Sequence, residues 1–339
     1  ATHYKVYKSD YPIDHASFTL AGFTDISPSS TGITQGRGYK SLVVDSAGVL
    51  HLMTAHVNSL VLRNYNGTSW TTSVSVFDLT GIASPANALY YDTMVLGKEA
   101  SGQKSLHVSM VYSDDAVDTS NSFATAGLKL LYVKYVMQAD RTYKAYKAGG
   151  TEIVTLPVTH STADIAYDGV AGASYVRIFG GIDVKTDGTP ILAHILENKT
   201  TPWAPVALNT YSWNGSAWAS ATITTSVDLP IPPQIRSILQ TPPIITQDDN
   251  GKIYLETISR DAGNICQIYE SSSDDNGVTW STLTARTSDA TETMRIAINS
   301  QLVFNKVISS IHSEVRFLPR IAPRIPRHAF VNYQNPGVC

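Results

Sequence analysis

Several side chains in this 339-residue chain are of the types that move protons and grip carboxylates. His56 and Asn58 form a His-x-Asn pair after an apolar run, and Tyr112 closes another such run just before Asp114 and Asp115. Imidazole and phenol are general acid–base groups, and the imidazole titrates near neutral pH. Arginines stand at Arg37, Arg177, Arg236 and Arg260, and a guanidinium fork matches a carboxylate with two parallel hydrogen bonds. Tyr91 and Tyr175 offer flat faces for stacking on sugar rings. These types together suit an anionic sugar chain. His56, Tyr112 and Arg177 form the candidate catalytic set, and Arg37, Asn58, Tyr91, Tyr175, Arg236 and Arg260 the candidate binding set. His107 and His194 lie inside apolar runs and read as buried structural histidines. Asp114-Asp115 reads as an acid–base pair, a calcium site or a solvated loop. Phosphate loops, nucleophile elbows and metal-ligand spacings are missing from the sequence. No cofactor is therefore required, and a bound Ca2+ has no motif behind it.

Those residues must be carried by strands. Helical periodicity is almost absent, while period-2 alternation between turn signals recurs throughout. One unit runs from Lys40 through Asp45, a Ser-Ala-Gly turn, Val49–Met53, Ser59–Arg63 and the turn Asn66-Gly67 to Trp70. A second runs from Tyr175 through Thr186-Asp-Gly188, Ile191–Ile195 and Val206–Thr210 to Trp218, and a third from Pro243 through Asp248–Gly251 to Tyr269. A looser copy spans Asn87–Tyr146, and a fragmentary one starts at Arg295. Four short strands per unit at this period predict an all-β fold, a β-propeller of four-stranded antiparallel blades. Five units are legible, so the expected count is five to seven blades in one domain over 1–339.

Composition narrows the partners. Charged residues are 16% of the chain, against roughly 25% on average, and net charge is -3. That leaves no basic field for nucleic acid. No apolar run reaches the roughly 18 residues that span a membrane. Low charge with 18 tyrosines suits a secreted, extracellular protein, expected to be monomeric. Three sequons support secretion, at Asn66, Asn198 and Asn214. Cys266 and Cys339 are the only cysteines and form either one staple or two free thiols.

Ser273-Asp274-Asp275-Asn276-Gly277-Val278-Thr279-Trp280 fits the pattern S-x-D-x-G-x-T-W, with Ser273, Asp275, Gly277, Thr279 and Trp280 at its fixed positions. The carboxylate is expected to accept N–H groups within the turn, Gly to supply a positive φ, and Trp to pack between blades. The turns at Asn66–Trp70 and Asn214–Trp218 keep the Gly and the Trp. On these residues the chain resembles the Asp-box (BNR-repeat) propellers, which include sialidases, exo-arabinanases and propeller polysaccharide lyases. The segment from Gly38 to Asn58 looks like a blade of lyases acting on ulvan or rhamnosyl-glucuronate. Such enzymes use a second His in the preceding loop, which here reads Gln35-Gly36-Arg37-Gly38. The resemblance implies a first face carrying the A–B and C–D turns and a ligand on the opposite face, above the channel. It also implies β-elimination of a uronic-acid-containing glycan. A glycosidase using Asp114, Asp115, Glu197 or Asp261 is the alternative, and a glycan-binding lectin the third reading.

Overall fold

In the computed structural model, residues 6–9, 23–27, 40–55, 59–78, 89–97, 105–112, 128–169, 172, 174–176, 180–198, 205–225, 243–248, 250–260, 266–288, 307–311, 314–318 and 329–330 are described. They form antiparallel sheets, with no helix among them. Strands β1 (Tyr7–Ser9) and β2 (Phe23–Asp25) pair with each other. Blade 1 is β3 (Lys40–Val44), β4 (Leu50–Ala55), β5 (Ser59–Tyr65) and β6 (Val74–Asp78), in sequence order. Blade 2 has β7 (Leu89–Leu96), β8 (Ser105–Tyr112) and β9 (Lys129–Met137), with its fourth position shared. There β10 (Tyr143–Tyr146) pairs with the far half of β9 and carries β11 (Glu152–Ile153), while β12 (Asp164–Asp168) pairs with the near half. Blade 3 divides its first position between β13 (Ser174–Val176) and β14 (Gly181–Val184), both on β15 (Pro190–Asn198), followed by β16 (Pro205–Trp213) and β17 (Trp218–Thr224). Blade 4 is β18 (Ile244–Gln247), β19 (Ile253–Arg260), β20 (Cys266–Ser273) and β21 (Thr284–Ala285).

The fold is a β-propeller with four blades among the described residues, fewer than the five to seven expected. The fragmentary unit after Arg295 shows as a two-stranded hairpin, β22 (Val307–Ile311) with β23 (Glu314–Leu318). The last strand, β24 (Ala329–Phe330), pairs with β1. Residues near both ends of the sequence thus share one three-stranded sheet.

Burial shows why the sheets stack as blades. One apolar cluster joins Met53, Leu60, Leu62 and Phe77 of blade 1 to Leu106, Met110, Leu131 and Tyr135 of blade 2. A second joins Val95, Val111 and Tyr132 of blade 2 to Ile182, Leu192 and Tyr211 of blade 3. A third joins Ile191, Ile195 and Leu208 to Ile245, Ile253 and Leu255 of blade 4. Val6 and Ile26 pack on Leu42, Leu50 and Leu52 of blade 1. Middle strands are covered on both faces, so β8 is buried along its whole length even though Ser105, His107 and Ser109 alternate with Leu106, Val108 and Met110. The buried polar row is hydrogen-bonded, with Ser105 Oγ and the Tyr132 hydroxyl meeting the two ring nitrogens of His107. The innermost strands touch one another, β3 with β7, β7 with β14 and β14 with β18. Their approach is tight: a methyl group at Gly181 would lie 2.3 Å from the Pro243 carbonyl oxygen.

One turn recurs through the blades. At Asp45–Val49, Lys185–Thr189 and Asp248–Lys252, the first N–H donates to the fifth carbonyl and the fourth N–H to the first carbonyl. The fourth residue has positive φ, and Gly48, Gly188 and Gly251 supply it. Gln138–Thr142 repeats the pattern between β9 and β10 with Arg141 at φ 67.

Candidate functional site on the loop-bearing face

The A–B and C–D turns share the first face, as the sequence predicts, so the opposite face carries the B–C and D–A connections. Much of the sequence-predicted site is assigned to neither face. Arg37, His56, Asn58, Asp114, Asp115, Arg177, Arg236 and Asp261 lie outside the described residues. Tyr91 sits near the start of β7 and Arg260 ends β19, both at this face by backbone position. Tyr112 and Tyr175 are described with their side chains.

Tyr112 is the last residue of β8, and its ring stacks on His160 with centroids 4.5 Å apart and planes 7° from parallel. His160 reaches that position by a detour. After β11 the chain docks on the outer strand of blade 1, where Val158 N–H donates to the Val76 carbonyl (2.9 Å) and Asp78 N–H to the Val158 carbonyl (2.8 Å). A tight turn follows, in which Ala163 N–H donates to the Thr159 carbonyl (2.9 Å) and Thr159 N–H to Thr162 Oγ1 (2.9 Å). The chain then resumes as β12. The imidazole is thus presented by a turn clamped between blades 1 and 2. No sequence motif marks His160; the available signal is a Ser/Thr-rich turn, Thr159-His160-Ser161-Thr162, of the kind that caps itself.

Tyr175 is half-buried and packs on the cluster that includes Tyr112. Across the sheet it opposes Glu197, whose side chain is buried near the end of β15. Tyr167 Oη donates to the Ser174 carbonyl at 2.9 Å, and burial holds this phenol above its ordinary pKa. The described part of the face therefore gathers three tyrosines, one histidine and one buried carboxylate. A phenol and an imidazole side by side can pass a proton to or from a bound substrate. Among the described residues no group of three His, Cys, Asp or Glu is placed to hold a metal ion.

The first face is structural. Within Ser273–Trp280, Asp275 Oδ1 accepts the Thr279 N–H (2.8 Å) and the Val278 N–H (3.2 Å), while Ser273 Oγ accepts the Gly277 N–H (2.9 Å). The Thr279 hydroxyl, then the Thr279 N–H and the Ser273 hydroxyl, hold the Asp275 pKa down to about 2. Gly277 has φ 91, and Trp280 packs on the cluster between blades 3 and 4. Asn66 and Asn214 both lie in exposed turns, their Oδ1 atoms accepting N–H groups two and three residues on. Asn198 ends β15 on the opposite face. Cys266 starts β20, but Cys339 is outside the described residues.

Beneath this face, a network the sequence reading missed crosses the seam between blades 1 and 2. Asp45 Oδ2 faces His51 Nε2 at 3.1 Å, and His51 Nδ1 faces Tyr143 Oη at 3.0 Å. Asn64 Nδ2 donates to Tyr143 Oη (3.0 Å) and to the Arg141 carbonyl (3.2 Å), while Arg141 Nε donates to Asn64 Oδ1 (2.7 Å). Asn64 and His51 are fully buried. His107 and His194 are also fully buried, as expected; His107 Nδ1 bonds the Tyr132 hydroxyl at 2.6 Å. A legible signal existed for His51. Asp45-x-x-Gly48-x-x-His51 repeats in blade 4 as Asp248-x-x-Gly251-x-x-Tyr254, where Tyr254 Oη lies 3.5 Å from Asp248 Oδ2.

No family model matches the chain, and no curated protein matches it. Among solved structures it is similar to a polysaccharide lyase described as a PL25 ulvan lyase, with 16% identity, 89% of this chain and 68% of that chain covered, and a TM-score of 0.56. The same values hold for that lyase bound to -[GlcA(1-4)Rha3S]-. An endo-arabinase from Bacteroides thetaiotaomicron is 12% identical over 84% of this chain and 94% of that chain, with a TM-score of 0.40. What the likeness to the lyase shows is a shared β-propeller fold.

Proposed function

We propose that the protein is a secreted polysaccharide lyase that cleaves a uronic-acid-containing glycan by β-elimination, with the site on the loop-bearing face. The observation that carries this reading is the Tyr112–His160 stack. In β-elimination the C–H bond α to the uronate carboxylate breaks and its electron pair forms a carbon–carbon double bond. The bond to the glycosidic oxygen then breaks, and that oxygen takes a proton. One base and one acid suffice, and an imidazole and a phenol are suitable. A cation on the carboxylate stabilises the charge that develops, a role we give to Arg177 or Arg236. Tyr91 and Tyr175, with Arg37, Asn58 and Arg260, would line the sugar-binding cleft, and His56 is a second candidate base. The fold shared with the ulvan lyase supports the reading without specifying the glycan.

The test is a panel of uronate polysaccharides followed by the ultraviolet absorbance of the unsaturated product. Absorbance that rises with wild type and is lost in Tyr112→Phe or His160→Gln supports the reading. New reducing ends without that absorbance would identify a hydrolase, and binding without products a lectin. For secretion the readout is separate: where the host is a eukaryote, mass spectrometry of native-host protein should find glycans on Asn66 and Asn214.

A further inference from the structure

The face of blade 1 that packs on the β1–β2 sheet carries polar atoms that neither the fold nor the proposed chemistry uses. Arg63 lies on β5 opposite Leu52 of β4, and Tyr65 two residues on belongs to the cluster formed with Val6 and Ile26. Side chains two apart on a strand share a face, so Arg63 points into this seam. It is only 4% exposed, and its Nε and Nη2 atoms have no hydrogen-bond partner among the described residues. Thr54, opposite Val61 on the neighbouring row of the same face, is 2% exposed, and its Oγ1 also has no partner there. A guanidinium stays charged at any working pH, and burying it without an anion is strongly unfavourable. Nε and Nη2 form the side edge of the guanidinium, whose two parallel N–H groups fit two oxygens of one anion.

The acids described nearby do not fill it. Asp45 spends Oδ2 on His51 and Oδ1 on the N–H groups of Ala47 and Val49. Asp25 of β2 is exposed and accepts from the Ser27 N–H. We propose that the seam between blade 1 and the β1–β2 sheet is a binding site for a free oxyanion of the sulfate or phosphate kind. The Arg63 fork would grip two of its oxygens, and the Thr54 hydroxyl would donate to a third. Such an ion would tie the blade to the sheet that joins β1 to β24. This site is separate from the loop-bearing face and does not depend on the lyase reading.

The experiment is a thermal melt of the full chain against sodium sulfate, with sodium chloride at matched ionic strength. Sulfate stabilises proteins in general, so the readout is the difference between wild type and Arg63→Met. Wild type should gain a saturable increment that the variant lacks, about 4 °C at a hundredfold excess over Kd. Thr54→Val should fold and bind sulfate more weakly, a test that stands even if Arg63→Met does not fold. Parallel curves for wild type and Arg63→Met, or unchanged sulfate affinity in Thr54→Val, would overturn the two-residue site. So would an Arg63→Met protein that melts well below a sulfate-insensitive wild type, since the fork would then hold a carboxylate of the chain itself.

Discussion

Tyr143→Phe removes one oxygen from the seam between blades 1 and 2, and the structure sets the cost. Arg141 Nε donates to Asn64 Oδ1, which fixes the amide orientation, and Asn64 Nδ2 donates to Tyr143 Oη. The phenolic hydrogen is then left for His51 Nδ1, and Nε2–H must donate to Asp45. One hydrogen-bond arrangement satisfies every member. Burial raises the Tyr143 pKa, so the phenol remains a donor throughout the working range. Phenylalanine deprives His51 Nδ1 of its donor and Asn64 Nδ2 of one acceptor, both in a buried seam. Each orphaned group costs about 1–3 kcal/mol, so the expected loss from the two is about 2–6 kcal/mol. With an unfolding entropy of roughly 2.1 cal/mol/K per residue, the melting temperature should fall by about 3–8 °C. Calorimetry measures this directly, and a cycle with His51→Phe should return a coupling of about 1 kcal/mol. A fall under about 1 °C with additive single effects would refute a coupled network at this seam.

Three further outcomes are expected. Gly277→Ala should cost about 2–3 kcal/mol and Gly48→Ala about 1 kcal/mol by urea denaturation, because both glycines have positive φ but only the first would bring a methyl within 2.9 Å of Ile191 Cδ1. Asp275→Asn should flatten the acid limb of stability. The folded pKa of about 2 lies below the ordinary 3.8, so the wild-type contribution is complete above the higher value and disappears as pH falls through the lower one. His160→Gln and Tyr112→Phe should each lower turnover by about 10²-fold or more while the melting temperature stays within a few degrees of wild type; full activity in both would remove the stack from the mechanism.

The blades were legible because their signals are local. Period-2 alternation, Gly at the fourth position of the A–B turns of blades 1, 3 and 4, and Trp after their C–D turns lie within a few residues of one another, and the registers of blades 1 and 4 follow from them. Trp70, Trp218 and Trp280 each pack on the seam preceding their own blade, so one sequence signal marks three interfaces. The split strands were not legible. At the break between β13 and β14, a methyl on Gly180 would fall 2.2 Å from His194 Nε2. The imidazole occupies the space a continuous side-chain row would need, and that exclusion joins residues on different strands. Among the described residues the fragmentary unit after Arg295 shows as a hairpin for a related reason, since a hairpin and a blade share the same alternation and differ in pairing partners.

The candidate site shows the same division more sharply. Tyr112 could be singled out because it ends an apolar run before two aspartates, a pattern visible in four residues. His160 lies 48 positions later in sequence, behind a detour that exists because Val158 satisfies backbone groups on the outer strand of blade 1. Nothing local specifies that docking; it follows from edge groups on β6 pairing with Val158, which comes from far along the chain. The strand pairing that closes the edge of blade 1 therefore also positions the imidazole against the phenol. A substitution that weakens this docking should act on turnover through His160 even though it touches no substrate, and Val158→Pro, which removes the N–H donated to Val76, is the direct trial. Loss of turnover with the Tyr112 environment unchanged by tyrosine fluorescence would contradict that coupling, because the ring cannot lose its stacked partner unnoticed.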